Sequence, residues 1–368
     1  MRVKRAILWA AVVAVFLAAG CDNHMTRKRN EAGQRWAESR AEMVTTLARR
    51  SYEGGNFSRA REQLDPVLRA ANPYAPAYVL AARLAADQGR LDEARDCART
   101  AVEVKPEVAE AHYVLGTIEQ TLSHRPEALA AFAEAARLAP TDPRYALAEA
   151  EMLVATGQVD AAAVGLEAAS DRMPGAAEVH AALGDVFARQ GRYREAADRY
   201  RVALRLNPEN TAPTQRLAVA LFQAGAYAEA EPILAELEVS EPDFAVGWIR
   251  LTRADCLLAL RQVDRARALY QRGVDAAPDD VAPRVGLARC DVLADRLTEA
   301  QRHLEEVLVR QPEHPEANGL LGYVLLATGR PGEAVPHLKL ARNTQPGRGR
   351  ETIEQWLVHA EQAVTRTP

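Results

Sequence analysis

The chain has 368 residues, of which 48% are hydrophobic but only 5% aromatic, and a formal net charge of -4. Two ordinary globular domains are the default at this length, yet an alanine-rich, aromatic-poor composition fits many short helices packed through small side chains better than one large aromatic core. So small a charge gives no large field of either sign, and neither nucleic acid nor an acidic membrane surface is indicated by it.

The N-terminal run MRVKRAILWAAVVAVFLAAGC has a basic start (Arg2, Lys4, Arg5), an apolar stretch from Ala6 to Gly20, and small residues before Cys21. That order is the order of a secretory signal, and the stretch is short for a comfortable spanning helix. Ala18-Ala19-Gly20-Cys21 resembles the lipobox at which bacterial lipoproteins are cleaved and their new N-terminal cysteine acylated. The resemblance implies a lipid on Cys21 and a protein facing the periplasm or cell exterior. Leucine stands at Leu17, one residue further out than usual, so an ordinary signal peptide and an uncleaved N-terminal anchor stay open beside it. Residues 21–40 read as a polar, mildly basic tether running into the first helix.

Everything beyond the tether repeats. Prolines stand at Pro106, Pro140, Pro174 and Pro208, each 34 residues after the last, and then at Pro242, Pro278, Pro312 and Pro346. Only the step from Pro242 to Pro278 differs, by a two-residue insertion, which places a break near 245–246. An alanine precedes each of these prolines by twelve residues, from Ala94 to Ala334. Proline ends a helix, so each unit predicts a pair of antiparallel helices closed by it. Glycine at Gly55, Gly89, Gly157, Gly191, Gly225 and Gly329 marks the turn inside the pair, and the alanine marks a close helix crossing. No pair can bury its apolar faces alone, so the units must stack.

The segment AEVHAALGDVFARQGRYREAADRYRVALRLNPEN (177–210) resembles the tetratricopeptide repeat at Leu183, Gly184, Phe187, Gly191, Tyr193, Ala196, Tyr200, Ala203 and Pro208. The resemblance implies an all-α, right-handed superhelical solenoid of nine repeats over 41–348, with a C-terminal capping helix in 349–368 that buries Ile353, Trp356, Leu357 and Ala360. It also implies a non-catalytic protein-binding scaffold, because the motif specifies a fold and leaves function to the surface.

No motif for chemistry emerges from the rest. There is no HExxH helix, no GxxxxGK[ST] loop and no GxSxG elbow, and His303 is followed by no second histidine four residues on. His112 and His180 share one repeat position and His303 and His337 another, the mark of packing residues rather than ligands. Cys97, Cys256 and Cys290 read as small buried residues, with intermolecular pairing as the alternative; Cys256 and Cys290, 34 apart, occupy equivalent sites too distant for a disulfide. The expectation is no enzyme, no cofactor, no metal and no evident small-molecule substrate.

In the family that these repeats resemble, the first helices of successive repeats line a groove for peptides or partner helices. Carried over residue by residue, the groove positions give Arg83, Tyr113 and Asp185 in the polar first half. Val219, Phe222, Val285, Val292, Tyr323 and Leu326 follow in a more apolar second half, with Arg289 between them. An exposed apolar run is a candidate docking surface. The lysine and asparagine of a carboxylate clamp are missing, since those sites hold Thr45, Val79 and Tyr113, then Arg49, Arg83 and Thr117. The expectation is therefore a lipid-tethered scaffold for unidentified proteins in envelope, pilus, secretion or polysaccharide-export assembly. The alternative is a recruiting or regulatory subunit of an envelope enzyme, such as a peptidoglycan hydrolase or glycan synthase.

Overall fold

The computed structural model describes residues 31–240, 246–344 and 348–366. Among the described residues there are nineteen helices and no strand. The lipobox and Cys21, Ala245 at the expected break, and Pro242 and Pro346 lie outside the described residues. Two compact units divide the chain, one ending at Ala182 and one beginning at Leu183.

The first unit holds α1 (31–53), α2 (Phe57–Leu68), α3 (Ala75–Asp87), α4 (Leu91–Val104), α5 (Ala109–Thr121), α6 (Arg125–Leu138), α7 (Pro143–Ala155) and α8 (Val159–Arg172). Helix α9 (Ala177–Arg189) contains the division. The second unit continues through α10 (Tyr193–Leu206), α11 (Ala212–Gln223), α12 (Tyr227–Ser240), α13 (Val246–Ala259), α14 (Val263–Ala276), α15 (Ala282–Leu293), α16 (Leu297–Arg310), α17 (Pro315–Ala327), α18 (Pro331–Thr344) and α19 (Arg348–Arg366). Odd-numbered helices up to α17 are the first members of their pairs.

The proline at the end of each second helix acts through the residue before it. Lys105, Ala139, Met173, Asn207, Ala277 and Gln311 all take φ between -128° and -149°, because the proline ring excludes the helical region for its predecessor. The side chain four residues into the next repeat then fastens the end. His112, His180, Arg284 and Asn318 each hydrogen-bond the proline carbonyl six residues back, the two histidines at 2.8 and 3.2 Å. Their shared position is thus a capping position, which accounts for histidines that bind nothing else.

Close crossing rests on the recurring alanine. Ala60, Ala94, Ala128, Ala162, Ala196, Ala230, Ala266, Ala300 and Ala334 are all fully buried. The facing position on the first helix is alanine or glycine, and where it is Gly116, Gly184 or Gly322 a large side chain of the second helix lies over it. A methyl group on Gly184 would sit 2.7 Å from the Tyr200 ring, and one on Gly116 equally close to Phe132. Helix α19 closes the second unit with Ile353, Leu357 and Ala360 buried, and Trp356 stacks on Tyr323 at 5.0 Å between ring centres.

The turns depart from expectation in three pairs. The six predicted glycines have positive φ, and so do Ser123, Arg261 and Asp295 at the equivalent turn position. An L-residue in that region is strained by about 1–2 kcal/mol, and glycine's extra unfolded-state entropy returns about half of that. Arg261→Gly, whose long side chain makes no compensating bond to its own turn, should raise the stability of the second unit by about 0.5–1 kcal/mol. An unchanged or lower urea midpoint would show that the left-handed turn carries no strain.

Two buried carboxylates stand where an acid replaces the usual apolar residue near the end of a first helix. That site holds Leu153, Phe187, Leu221, Leu257 and Leu325 in five pairs but Glu119 and Asp291 in two. Glu119 accepts from Arg99 (3.1 Å) and His124 (2.7 Å). Asp291 accepts from Arg267 (3.2 Å) and Arg296 (2.9 Å), with His303 at 3.6 Å. Burial, and then Arg302, hold the His303 imidazole below its usual range, so its neutral form is favoured.

Candidate functional site

First helices of successive pairs present their exposed side chains on one face of each unit, and this is where the predicted binding residues lie. In the first unit a cleft of about 460 Å³ is bounded by four of them in turn: Arg49, Tyr52 and Glu53 of α1, Val79 and Arg83 of α3, Glu110 of α5 and Arg144 of α7. Glu110 is its hub. Arg83 donates to one oxygen, the Tyr145 hydroxyl donates to the other at 2.8 Å, and Arg144 stands 3.7 Å away. Tyr113 packs between Phe132 and Tyr145, with ring centres 5.8 and 5.4 Å distant, so it supports the cleft floor.

Not every arginine of the cleft is neutralised. Arg144 is held by Asp142 at 2.7 Å and Arg83 by Glu110, whereas Arg49 is exposed and has no carboxylate partner among the described residues. Three residues on along α1 the Tyr52 hydroxyl donates to Asp87, and burial together with that bond pushes its pKa up to about 12. The cleft thus combines an apolar floor of Pro76, Val79, Leu80 and Val108 with fixed tyrosine and carboxylate walls and, among the described residues, one guanidinium without a carboxylate.

In the second unit the structure redraws the predicted surface. Asp185 accepts from the Tyr200 hydroxyl and from Arg216, each at 2.7 Å, and Arg289 is drawn to Asp255 (2.7 Å) and Glu316 (3.6 Å). Both are part of ion-pair networks along the face. Val285 is a correction: it is buried, because its turn of α15 packs into the core with Val281 and Ala288. Val292, Tyr323 and Leu326 lean against that same core and are half-buried, and Phe222 packs edge-on against Tyr227 at 5.7 Å. An apolar run read as open surface is thus largely packing between helices.

The open apolar spot lies at Val219, one of the expected groove residues, and at Trp248 beside it. Val219 and Trp248, 40% and 39% exposed, share a hollow of about 410 Å³ with Ala188, Tyr193, Tyr200 and Ala220, edged by Gln215 and Arg216. The sequence leaves Trp248 between the fourth repeat position and the second, and it is not among the residues expected in the groove. Helix α13 places Ile249 and Ala254 in the core, which sets Trp248 at the second repeat position and on the binding face. The spacing to Ala266 and Pro278 carried that signal.

The residues available for chemistry are subdued. Cys256 and Cys290 are buried free thiols, with pKa pushed up to about 12 first by burial, whereas Cys97 is only half-buried. Among the described residues no group of three or more His, Cys, Asp or Glu side chains is placed to hold a metal ion. No helix among them is long and apolar enough to cross a membrane.

Comparison with known proteins agrees with the geometry. One tetratricopeptide repeat profile matches residues 45–96, 79–143, 147–211 and 293–348, and a second matches 187–248 and 257–311. The human protein O-mannosyl-transferase TMTC1 is 26% identical over 194 residues, 51% of this chain and 21% of that protein. U-box domain-containing protein 70 of Oryza sativa subsp. japonica is 26% identical over 157 residues, 43% of this chain and 19% of that protein. The chain thus spans about a fifth of the length of these relatives. Among solved structures, Pseudomonas aeruginosa pilF is 19% identical with a TM-score of 0.44, covering 57% of this chain and 95% of that one. With the helix pairs, the alanine crossings and profiles that together span most of 45–348, the chain belongs to the tetratricopeptide repeat family.

Proposed function

We propose that this protein is a non-catalytic scaffold, tethered to a membrane on its extracytoplasmic side through Cys21, that binds segments of partner proteins on its first-helix faces for envelope, pilus, secretion or polysaccharide-export assembly. Tetratricopeptide architecture supports a protein-interaction scaffold. The export and tether rest on the basic, apolar and small-residue order of residues 2–21. The observation that carries the binding role is the Val219–Trp248 hollow, an aromatic and a β-branched side chain left open together in one recess of a first-helix face. Tryptophan in an apolar recess with a polar rim has the composition of an interface hot spot.

The test is a cross-linked capture from membranes with the native chain and with Trp248→Ala combined with Val219→Asp. Loss of a hot spot of about 2 kcal/mol or more corresponds to about thirtyfold weaker binding, so a partner set held by the native chain should disappear. Both side chains are exposed, so the helical content should not change. Capture that survives the double substitution would move binding to the Arg49–Arg144 cleft and remove the basis of this assignment. Partners that are synthases or hydrolases would make the scaffold a recruiting subunit of an enzyme.

A further inference from the structure

The first helix has two faces, and only one of them is accounted for. Ala41, Thr45 and Ala48 of α1 are buried against α2 and α3. On the opposite side Trp36 is 67% exposed, Met43 74% and Leu47 48%, an apolar stripe at helical spacing. Met43 and Leu47 occupy the third and seventh repeat positions. The same positions are buried in later pairs, as Ala77 and Ala81 in the first unit and Leu287, Ala317 and Leu321 in the second, where the preceding pair covers them. Among the described residues no helix pair packs on this side of α1, and the face has not been made polar as terminal repeats usually are.

The carboxylates of this helix are kept off that stripe. At 100° per residue Trp36, Arg40, Met43, Leu47 and Arg50 fall in a sector about 80° wide. Glu31, Glu38, Glu42 and Glu53 fall in another, about 60° wide and turned well away from it, which Arg35 and Arg49 share. The outward face is therefore apolar and basic without a carboxylate, and the Arg40 guanidinium lies over the Trp36 ring at 5.7 Å. Near-neutral charge for the whole chain conceals this separation. Arg27, Lys28 and Arg29 precede it in sequence, and only the nine residues 22–30 separate Cys21 from the first described residue of α1. Nine residues reach at most about 30 Å.

From these observations we infer that the outward face of α1 lies flat on an anionic lipid bilayer, with Trp36, Met43 and Leu47 at the boundary between headgroups and acyl chains. Arg40 and Arg50 then meet lipid phosphates, which is the arrangement of an interfacial amphipathic helix. The inference rests on the tethered reading above, because a lipid on Cys21 keeps α1 within reach of the surface. One weak lipid anchor and one weak interfacial face together make the stable attachment that neither provides alone.

Hydroxyl-radical footprinting of the full acylated chain, reconstituted in vesicles of three parts phosphatidylethanolamine to one part phosphatidylglycerol, reads the face residue by residue. Oxidation of Trp36 and Met43 should fall about tenfold on reconstitution while exposed Trp248 keeps its rate. Met43→Glu with Leu47→Glu should restore Trp36 oxidation without loss of helical content, since both sites are exposed. Co-flotation of the chain with unprotected Trp36 and Met43 would overturn the inference and leave the tether standing. A chain that fails to co-float at all would overturn the tether. Protection that arises without vesicles and grows with protein concentration would assign the face to a second copy of the chain and sink the lipid proposal.

Discussion

Replacing Tyr200 with alanine should destabilise the second unit by about 3–5 kcal/mol, the range for removing a large buried aromatic side chain. Tyr200 is 2% exposed, and its ring fills the space left by the absent side chain of Gly184. Neighbouring helices cannot collapse into the void, because the alanine crossing at Ala196 already holds them at closest approach. Tyr200→Phe separates the two things the residue does. It keeps the ring and removes only the hydroxyl that donates to Asp185 at 2.7 Å, and Asp185 retains Arg216 at the same distance. That change should cost about 1 kcal/mol. Urea unfolding with amide exchange over residues 193–223 distinguishes the cases, since a repeat array need not unfold in one step. Equal losses for alanine and phenylalanine would mean that the hydrogen bond, not the packing, holds the helix pair. Tyr200 also lines the Val219–Trp248 hollow, so the alanine variant should lose partner binding while the phenylalanine variant keeps it.

How far such residues could be foreseen depends on what the repeat constrains. Proline spacing, the alanine crossing and the glycine turns are backbone requirements, so they recur at fixed intervals and could be read without a structure. Tyr200 over Gly184 belongs to this class, as do Ile353, Leu357 and Ala360 in α19. The binding face is less legible because exposure on a first helix depends on the neighbouring pair. Val285 and Val219 share an apolar character and lie on the same side of their helices, yet the first is covered by packing and the second stays open. Asp185 and Arg289 looked like free groove charges, and their partners Arg216 and Asp255 stand 31 and 34 residues away, a distance that no local pattern shows. Register stayed open at Trp248, where the insertion before α13 lets the residue fit either the fourth or the second repeat position. Ser123, Arg261 and Asp295 turned without glycine, which sequence reasoning had treated as the mark of the turn.

The insertion bears on a second large effect. Helices α12 and α13 flank residues 241–245 and are joined by four charged side chains. Glu238 accepts from Arg250 and Arg253, each at 2.9 Å, and Glu231 holds Arg253 from the other side at 3.0 Å. Glu238 is only 10% exposed and the two arginines about 20%, so water does little to screen these bonds. Breaking a buried pair by removing one partner typically costs about 3–5 kcal/mol, because the other charge is left without compensation. Glu238→Ala should fall near the lower end, about 3 kcal/mol, since Arg253 keeps Glu231 and both guanidinium groups retain some contact with water. Burial alone would raise the Glu238 carboxyl, and the hydrogen bonds from Arg250 and Arg253 more than reverse it, leaving its pKa below the ordinary value. A depressed folded-state pKa contributes stability that is complete above the unfolded value of about 4.3 and is lost as pH falls through the folded one. The native chain should therefore lose stability on acidification below about pH 4.3 more steeply than Glu238→Ala does. Glu238→Ala with Arg250→Ala supplies the control. If the double variant is more stable than the single one, the loss came from an orphaned guanidinium and the cluster is a lock between α12 and α13. If it is less stable by the full sum of the two single losses, Glu238 and Arg250 act through separate contacts and their bond does not fasten the helices that flank the insertion.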